Sequence, residues 1–302
     1  MKNLDFFLEN YSSVNLSWVT VIPPNFHDAQ PYKNFGDELS LYINQKLFPN
    51  VKFNHCHFDS NKTRIVSIGT ILHNFYNGQT LVWGTGMDSR RINPHFGKSH
   101  FEIFAVRGVR TKKILETFGI RVPSVYGDPA ILLPNLIDTN TLPVKKYKIG
   151  IIPHCSNYFE QNGQMQTNVP CFTSDDPRVI IIGTKTKNDI LPVLDDILSC
   201  DVILSESIHG CIIADAFNIP NLFMSKRESV ENTVLSTRKN NDLEHRYDDY
   251  ISPFDIEKYQ IIHDSTRGFD LNKISDLIYT HYTPVDFTEQ SRILIENHPL
   301  NH

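Results

Sequence analysis

Short runs of Val, Ile and aromatic residues alternate along this chain with stretches in which apolar side chains recur every three or four positions. Strands of a parallel sheet read as near-continuous apolar runs, and their crossover helices read at helical spacing. The pattern therefore predicts an α/β fold with parallel sheets. In the first half, strands are expected at Ser17–Ile22, Arg64–Gly69, Leu81–Gly84 and Glu102–Val106, each closing near a glycine or a polar turn. Between the first two, Phe35, Leu39, Ile43 and Leu47 recur every four residues and predict a helix over Phe35–Phe48. Asp37 and Glu38 fall in its first turn, where negative charge suits the helix dipole. A second helix over Val109–Phe118 is expected to stop at Gly119, a natural left-handed cap.

The periodicity lapses over Pro134–Lys146, a polar stretch with two prolines, and then restarts. It reads as a linker, with a boundary between Leu133 and Lys148 and two α/β domains over residues 1–140 and 141–302. Beyond it, strands are expected at Lys148–Ile152, Val179–Ile182, Val202–Leu204 and Asn221–Met224. Helices are expected at Ile190–Leu198, where Pro192 is tolerable in a first turn, at Ile208–Phe217, and at Leu271–Tyr279 and Phe287–Asn297, the last two able to pack back onto the first domain.

Length supports that division, because 302 residues exceed what one small core usually fills. Hydrophobic residues at 40% and charged residues at 21% describe a globular chain, with no low-complexity segment. Asp5 and Glu9 interrupt the apolar region that a signal peptide would need, and no stretch approaches the length of a membrane span, so a soluble cytoplasmic protein is expected. Five cysteines without Cys-x-x-Cys spacing fit reduced thiols. A net charge of −5 without a long basic run gives no footprint for nucleic acid.

Ligands of open α/β sheets bind beyond the carboxyl ends of strands, where loops enter helices. Three segments combine that position with polar residues. Asn34-Phe35-Gly36-Asp37 precedes the first helix, where Asn34 and Asp37 serve either as caps or as neighbours of an anion. Arg107-Gly108 follows a strand, where an arginine can bind a carboxylate or phosphate through two parallel hydrogen bonds or can form an ion pair within the protein. Ser205-Glu206-Ser207-Ile208-His209-Gly210 follows an apolar strand and opens an apolar helix, which puts an imidazole at an anion-attracting helix end. Gly84-Thr85-Gly86 lacks the third glycine of a dinucleotide fingerprint, and no Gly-x-Ser-x-Gly elbow surrounds Ser205 or Ser207. His55-Cys56-His57 would place its side chains on opposite faces of a strand, so no metal site is expected.

At these segments the sequence resembles the polysaccharide pyruvyltransferase family. The matching pieces are NFGDELS (Asn34–Ser40), WGTG (Trp83–Gly86), VRG around Arg107, YGDPAILLP (Tyr126–Pro134), IGIIPH (Ile149–His154), SESIHGCIIADAFNIP (Ser205–Pro220) and YDDY (Tyr247–Tyr250). They run in order through roughly residues 34 to 250. The resemblance implies two Rossmann-like domains arranged as in GT-B glycosyltransferases, with donor and acceptor meeting in the cleft between them. It implies phosphoenolpyruvate as donor, a sugar of a cell-surface glycan such as an exopolysaccharide or capsule as acceptor, and no further cofactor. It also makes His209 the expected catalytic or donor-binding histidine and Arg107 an anion-binding arginine, with Asn34, Gly36, Asp37, Gly84, Gly86, His154, Ser205, Glu206, Ser207 and Gly210 at the substrate site. Some relatives carry an arginine two residues before the histidine. Here that position is Ser207, so another cation or backbone amides must neutralise the anion. A nucleotide-sugar glycosyltransferase and a noncatalytic glycan- or phosphate-binding protein are the rival readings, and lipid linkage of the acceptor, peripheral membrane association and homo-oligomerisation stay open.

Overall fold

A computed structural model describes residues 12–20, 32–98, 100–161, 164–167, 169–186, 189–227, 234–237, 243–254, 256–264, 268 and 270–302. The fold is mixed α/β with parallel sheets. Five strands, β1 (Ser13–Ser17), β3 (Lys52–His55), β4 (Arg64–Val66), β5 (Gln79–Trp83) and β6 (His100–Ala105), form one sheet in the order β3-β1-β4-β5-β6, every neighbouring pair parallel. A second sheet takes six strands, β7 (Tyr147–Ile152), β10 (Val179–Ile181), β12 (Cys200–Ser205), β13 (Asn221–Arg227), β14 (Val234–Thr237) and β15 (Tyr259–Asp264), in the order β10-β7-β12-β13-β15-β14. Only β14 runs antiparallel to its neighbour. Phe159–Gln161 (β8) and Gln164–Gln166 (β9) make a small hairpin. Lys33–Asn34 (β2) and Lys185–Thr186 (β11) pair antiparallel, tying the start of the first helix to the second half of the chain.

The helices sit where the apolar periodicity demands. Helix α1 (Phe35–Leu47) buries Phe35, Leu39 and Ile43, and α2 (Val109–Thr117) ends before Gly119, whose φ of +73° is the left-handed cap that a side chain would resist. After a single turn, α3 (Leu133–Leu136), come α4 (Leu191–Leu198) and α5 (Ile208–Ala216). Helix α5 is buried from Ile208 through Asp215, as a helix apolar on all sides must be. Its isoleucines join Phe35, Leu39 and Ile43 of α1 in one core, so residues from both halves of the chain share it. Burial of each such side chain contributes roughly 1.5–3 kcal/mol. Helices α6 (His245–Ile251), α7 (Leu271–His281) and α8 (Thr288–Glu296) follow. The α8 segment reaches the first sheet and α1: Trp83 Nε1 of β5 donates to the Leu294 carbonyl at 2.8 Å, and His298 Nε2 lies 2.9 Å from Asn44 Oδ1 of α1.

Several boundaries differ from those expected. The first strand is Ser13–Ser17, not Ser17–Ile22; Trp18 ends it by turning its indole N–H onto Glu38 at 2.9 Å, and Val21 and Ile22 lie outside the described residues. Arg64–Gly69 is strand only to Val66, because Gly69 takes a φ of +98° and opens the chain into a loop. The polar stretch from Pro134 begins inside α3, where a proline in the first turn costs no hydrogen bond and Leu133 is buried. Strands β3, β14 and β15 and helix α6 carry too few periodic residues to be recognised in the sequence.

Candidate active site

Loops from both sheets meet at the carboxyl ends of their parallel strands and enclose a cleft of about 260 Å³. Val19 follows β1, Gly69, Thr70 and Ile71 follow β4, His154 and Cys155 follow β7, and Ser207, Ile208 and His209 follow β12. Asn34 and Asp37 come from the start of α1, Thr184 from beside β11 and Arg246 from the start of α6. Two helices therefore aim their N-termini at this space. In α1, Asn34 caps the Gly36 N–H at 2.9 Å and the Thr184 carbonyl takes the Phe35 N–H at 2.8 Å. In α5 the N-cap residue, Ser207, makes no side-chain cap bond. Ser205 Oγ instead donates to the Ser207 carbonyl and accepts from the Ser207 N–H, so the first-turn amides of Ile208, His209 and Gly210 keep their attraction for an anion.

His209 stands at that turn, 6% exposed, and a Cβ on Gly36 would overlap its ring, so the glycine of the NFGD segment is the seat of this imidazole. Nε2 lies 3.8 Å from Asp128 Oδ2, too long for a hydrogen bond, and both atoms are buried without a hydrogen-bond partner among the described residues. Burial, with Arg107 and Arg246 nearby, pushes the imidazole down to about 3, so the ring is neutral at neutral pH. Burial pushes Asp128 up to about 6 against the opposing pull of Arg107. Asp37 is raised to about 7, first by burial and then by the charge of Glu38.

Arg107 is engaged within the protein. Its side chain is fully buried, its Nε and Nη2 each lie 3.1 Å from Asp249 Oδ2, and Nη1 donates to Thr70 Oγ1 at 2.7 Å. The same carboxylate accepts the Thr111 N–H at 2.8 Å and its hydroxyl at 2.7 Å, and Ser252 Oγ accepts the Val109 N–H. The anion at the N-terminus of α2 is thus the protein's own Asp249. Arg107 stands behind Thr70, one side chain removed from the cleft.

Other expected site residues divide the same way. Asn34, Asp37, His154, Ser207 and His209 line the cleft. Glu206 accepts the His154 N–H at 2.9 Å and the Asn157 side-chain amide at 2.6 Å, which holds the loop after β7 in place. Gly86 backs the Arg107 guanidinium, Gly84 backs Pro129, and Gly210 packs on Ser205; none of the three lines the cleft. Arg246 does line it, close enough for its charge to act on His209, and motif reading missed it. Glu244 holds it through a 2.8 Å bond to Nε and caps α6 by accepting the Arg246 and Tyr247 N–H groups. Against the upward push of burial, the His245 hydrogen bond and the charge of Arg246 hold Glu244 down to about 2. Among the described residues no three His, Cys, Asp or Glu side chains gather as a metal set: His55 Nε2 lies 3.1 Å from the Trp18 carbonyl, Cys56 is buried, and His57 pairs with exposed Asp59.

The family model for polysaccharide pyruvyl transferase matches residues 34–226, from the start of α1 to the end of β13. The chain belongs to the polysaccharide pyruvyl transferase family. It is a transferase, then, acting in the transfer of pyruvyl groups to polysaccharide. It is 29% identical over 229 residues to an uncharacterized protein of Acanthamoeba polyphaga mimivirus, covering 75% of this chain and 73% of that one. It is 25% identical over 210 residues to the succinoglycan biosynthesis protein ExoV of Rhizobium meliloti, covering 68% of this chain and 60% of that one. A solved structure of a functionally uncharacterized protein from Klebsiella pneumoniae aligns over 82% of this chain and 95% of that one at 13% identity, with a TM-score of 0.37 that carries no argument.

Within this pyruvyl transferase, Asn34, Asp37, His154, Ser207 and His209 fall inside the matched segment, whereas Arg246 and Asp249 lie beyond its end. The signal in the sequence for Arg246 is the neighbouring YDDY run, which the sequence shows but does not orient. No described helix is long and apolar enough to cross a membrane.

Proposed function

We propose that this pyruvyl transferase takes the enolpyruvyl carbons of phosphoenolpyruvate, places them on a saccharide as a pyruvate ketal, and releases phosphate. The observation that carries the reading is the convergence in one small cleft of the uncapped N-terminus of α5, Arg246, and a buried histidine with an unpartnered nitrogen. A ketal forms when the methylene carbon gains a proton, the central carbon accepts two sugar oxygens and phosphate leaves. That chemistry needs anion stabilisation and proton transfer. Helix α5 and Arg246 supply the first, with Arg246 serving where Ser207 cannot. His209, neutral in the free cleft, accepts a proton from a sugar hydroxyl and passes it to the departing phosphate. A bound dianion beside the ring offsets the field of the two arginines and raises its basicity for that task.

In this reading the two sheets belong to two domains arranged as in GT-B enzymes, divided near residues 133–148, with the cleft at their junction, and the enzyme acts in the cytoplasm on a glycan precursor. Incubation with phosphoenolpyruvate and a panel of saccharides, read by mass spectrometry for the ketal and by phosphate release, tests it. Turnover of a nucleotide sugar, with no reaction of phosphoenolpyruvate, would replace it with a glycosyltransferase.

A further inference from the structure

We propose that Asp37 is the acid that delivers the proton to the methylene carbon of the enolpyruvyl group. The inference rests on phosphoenolpyruvate being the donor. Asp37 and Glu38 are adjacent in the first turn of α1, yet their surroundings differ. Glu38 accepts from the Trp18 indole at 2.9 Å and from Lys33 at 3.1 Å. Asp37 makes no hydrogen bond to a described residue, and it lines the cleft with His209 and Arg246. A Cβ on Gly69 would lie 3.3 Å from Asp37 Oδ1, so the glycine in the loop after β4 leaves room beside the carboxyl.

The reaction needs a group that is still protonated near neutrality and acidic enough to give its proton up. The titratable and charged groups around Asp37 are Glu38 on its own helix, His154 and Cys155 after β7, His209 at α5 and Arg246 at α6, with Arg107 behind Thr70. The His209 ring, at about 3, carries no proton to spare. Burial pushes the Cys155 thiol up, making it a weaker acid than an ordinary thiol. Asp37, held at about 7, is poised for the task.

In the step, the electron pair of the carbon–carbon double bond takes the Asp37 proton, and the methylene becomes a methyl group. The central carbon, now electron-poor, bonds to the first sugar hydroxyl oxygen, whose proton returns to the Asp37 carboxylate. The second hydroxyl oxygen then bonds to the same carbon as the bond to the phosphate oxygen breaks, its electron pair leaving with phosphate, and the second hydroxyl proton ends on phosphate. The acid form is the working form, so kcat/KM for the donor holds below about pH 7 and falls as pH rises through that value.

Two measurements on the full chain test this, using wild type, Asp37→Asn and Asp37→Glu. In the first, calorimetry follows binding of phosphoenolpyruvate at about pH 6 and about pH 8. An ionised Asp37 repels the donor, so wild-type affinity is expected to fall with rising pH about tenfold more than that of Asp37→Asn, whose charge does not change. In the second, phosphate release is followed against pH with methyl glycosides carrying neighbouring free hydroxyls. Asp37→Asn is expected to lose about 10²–10⁴-fold in kcat and to lose the falling limb of kcat/KM near pH 7, with Asp37→Glu recovering part of both. Donor binding with the same pH dependence in wild type and Asp37→Asn, or turnover of Asp37→Asn within a few-fold of wild type with the limb intact, overturns the role of Asp37 and leaves the donor standing. Absence of donor binding in the wild type as well as in both variants overturns the donor reading and this proposal together.

Discussion

Helices α2 and α5 begin alike: each follows a strand of a parallel sheet, each starts beside a glycine, and each points an electropositive end at the junction of the two halves. Their ends are satisfied in opposite ways. At α2 the Asp249 carboxylate takes the Thr111 N–H and hydroxyl and pairs with Arg107, so the anion that the helix attracts is already present. At α5 the N-cap Ser207 makes no cap bond, and His209 Nε2 and Asp128 Oδ2 lie buried without hydrogen-bond partners among the described residues. The α2 end is filled from within the chain, whereas the α5 end opens on the candidate site. The Arg107 end of the comparison binds a carboxylate as its residue type foretells, but the carboxylate belongs to α6, and the consequence is that α6 is docked where Arg246 reaches the cleft.

Substitutions at four positions sharpen the contrast. Changing His209 to Gln keeps a hydrogen-bonding side chain and removes proton transfer, so kcat for phosphate release from phosphoenolpyruvate is expected to drop by about 10²–10⁴-fold, with a thermal unfolding midpoint close to wild type. If turnover stays near normal, the α5 end is structural like the α2 end.

Next in size, Asp249→Ala leaves Arg107 charged and unpaired in the interior, which costs about 3–5 kcal/mol of folding stability and is read as a lower midpoint in urea. Arg107→Ala is expected to destabilise in the same way, and the double variant less than the sum of the two, because each change removes the same interaction. Additive losses would show that Arg107 and Asp249 do not act as a unit.

The smallest effect is expected at Arg246→Ala. Loss of a charge-assisted contact worth roughly 1.5–3 kcal/mol weakens phosphoenolpyruvate binding by about ten- to a hundredfold in calorimetry. Folding stability should change little, since its side chain is 28% exposed and its ion pair with Glu244 lies at the rim of the cleft. A large loss of stability with unchanged donor affinity would move Arg246 to the structural side of the comparison.

Much of the architecture is legible in the chain. Buried strands such as Cys200–Ser205 and buried helices such as Ile208–Ala216 are marked by apolar runs whose length and period leave one option, and Gly119 punctuates α2 where expected. The motifs name Asn34, Asp37, His154, Ser207 and His209, and all five line the cleft, the last three after strands of a parallel sheet and the first two at the start of α1. Strands β14 and β15 and helix α6 were not legible, because their order depends on neighbours more than on their own periodicity. Strand β15, for instance, is set by pairing on both sides, with β13 parallel and β14 antiparallel.

The sequence alone determined which residues could bind an anion or move a proton, because side-chain chemistry and helix ends are local properties. Which of them face a shared space was decided only by the tertiary structure. Arg107 and Arg246 are the same side chain, separated in role because Asp249 reaches across 142 positions of sequence to one of them and leaves the other at the cleft. The surroundings of Asp37 were decided at the same level. Its carboxyl is displaced to about 7 by burial and by Glu38, and burial depends on residues far along the chain that no local pattern records.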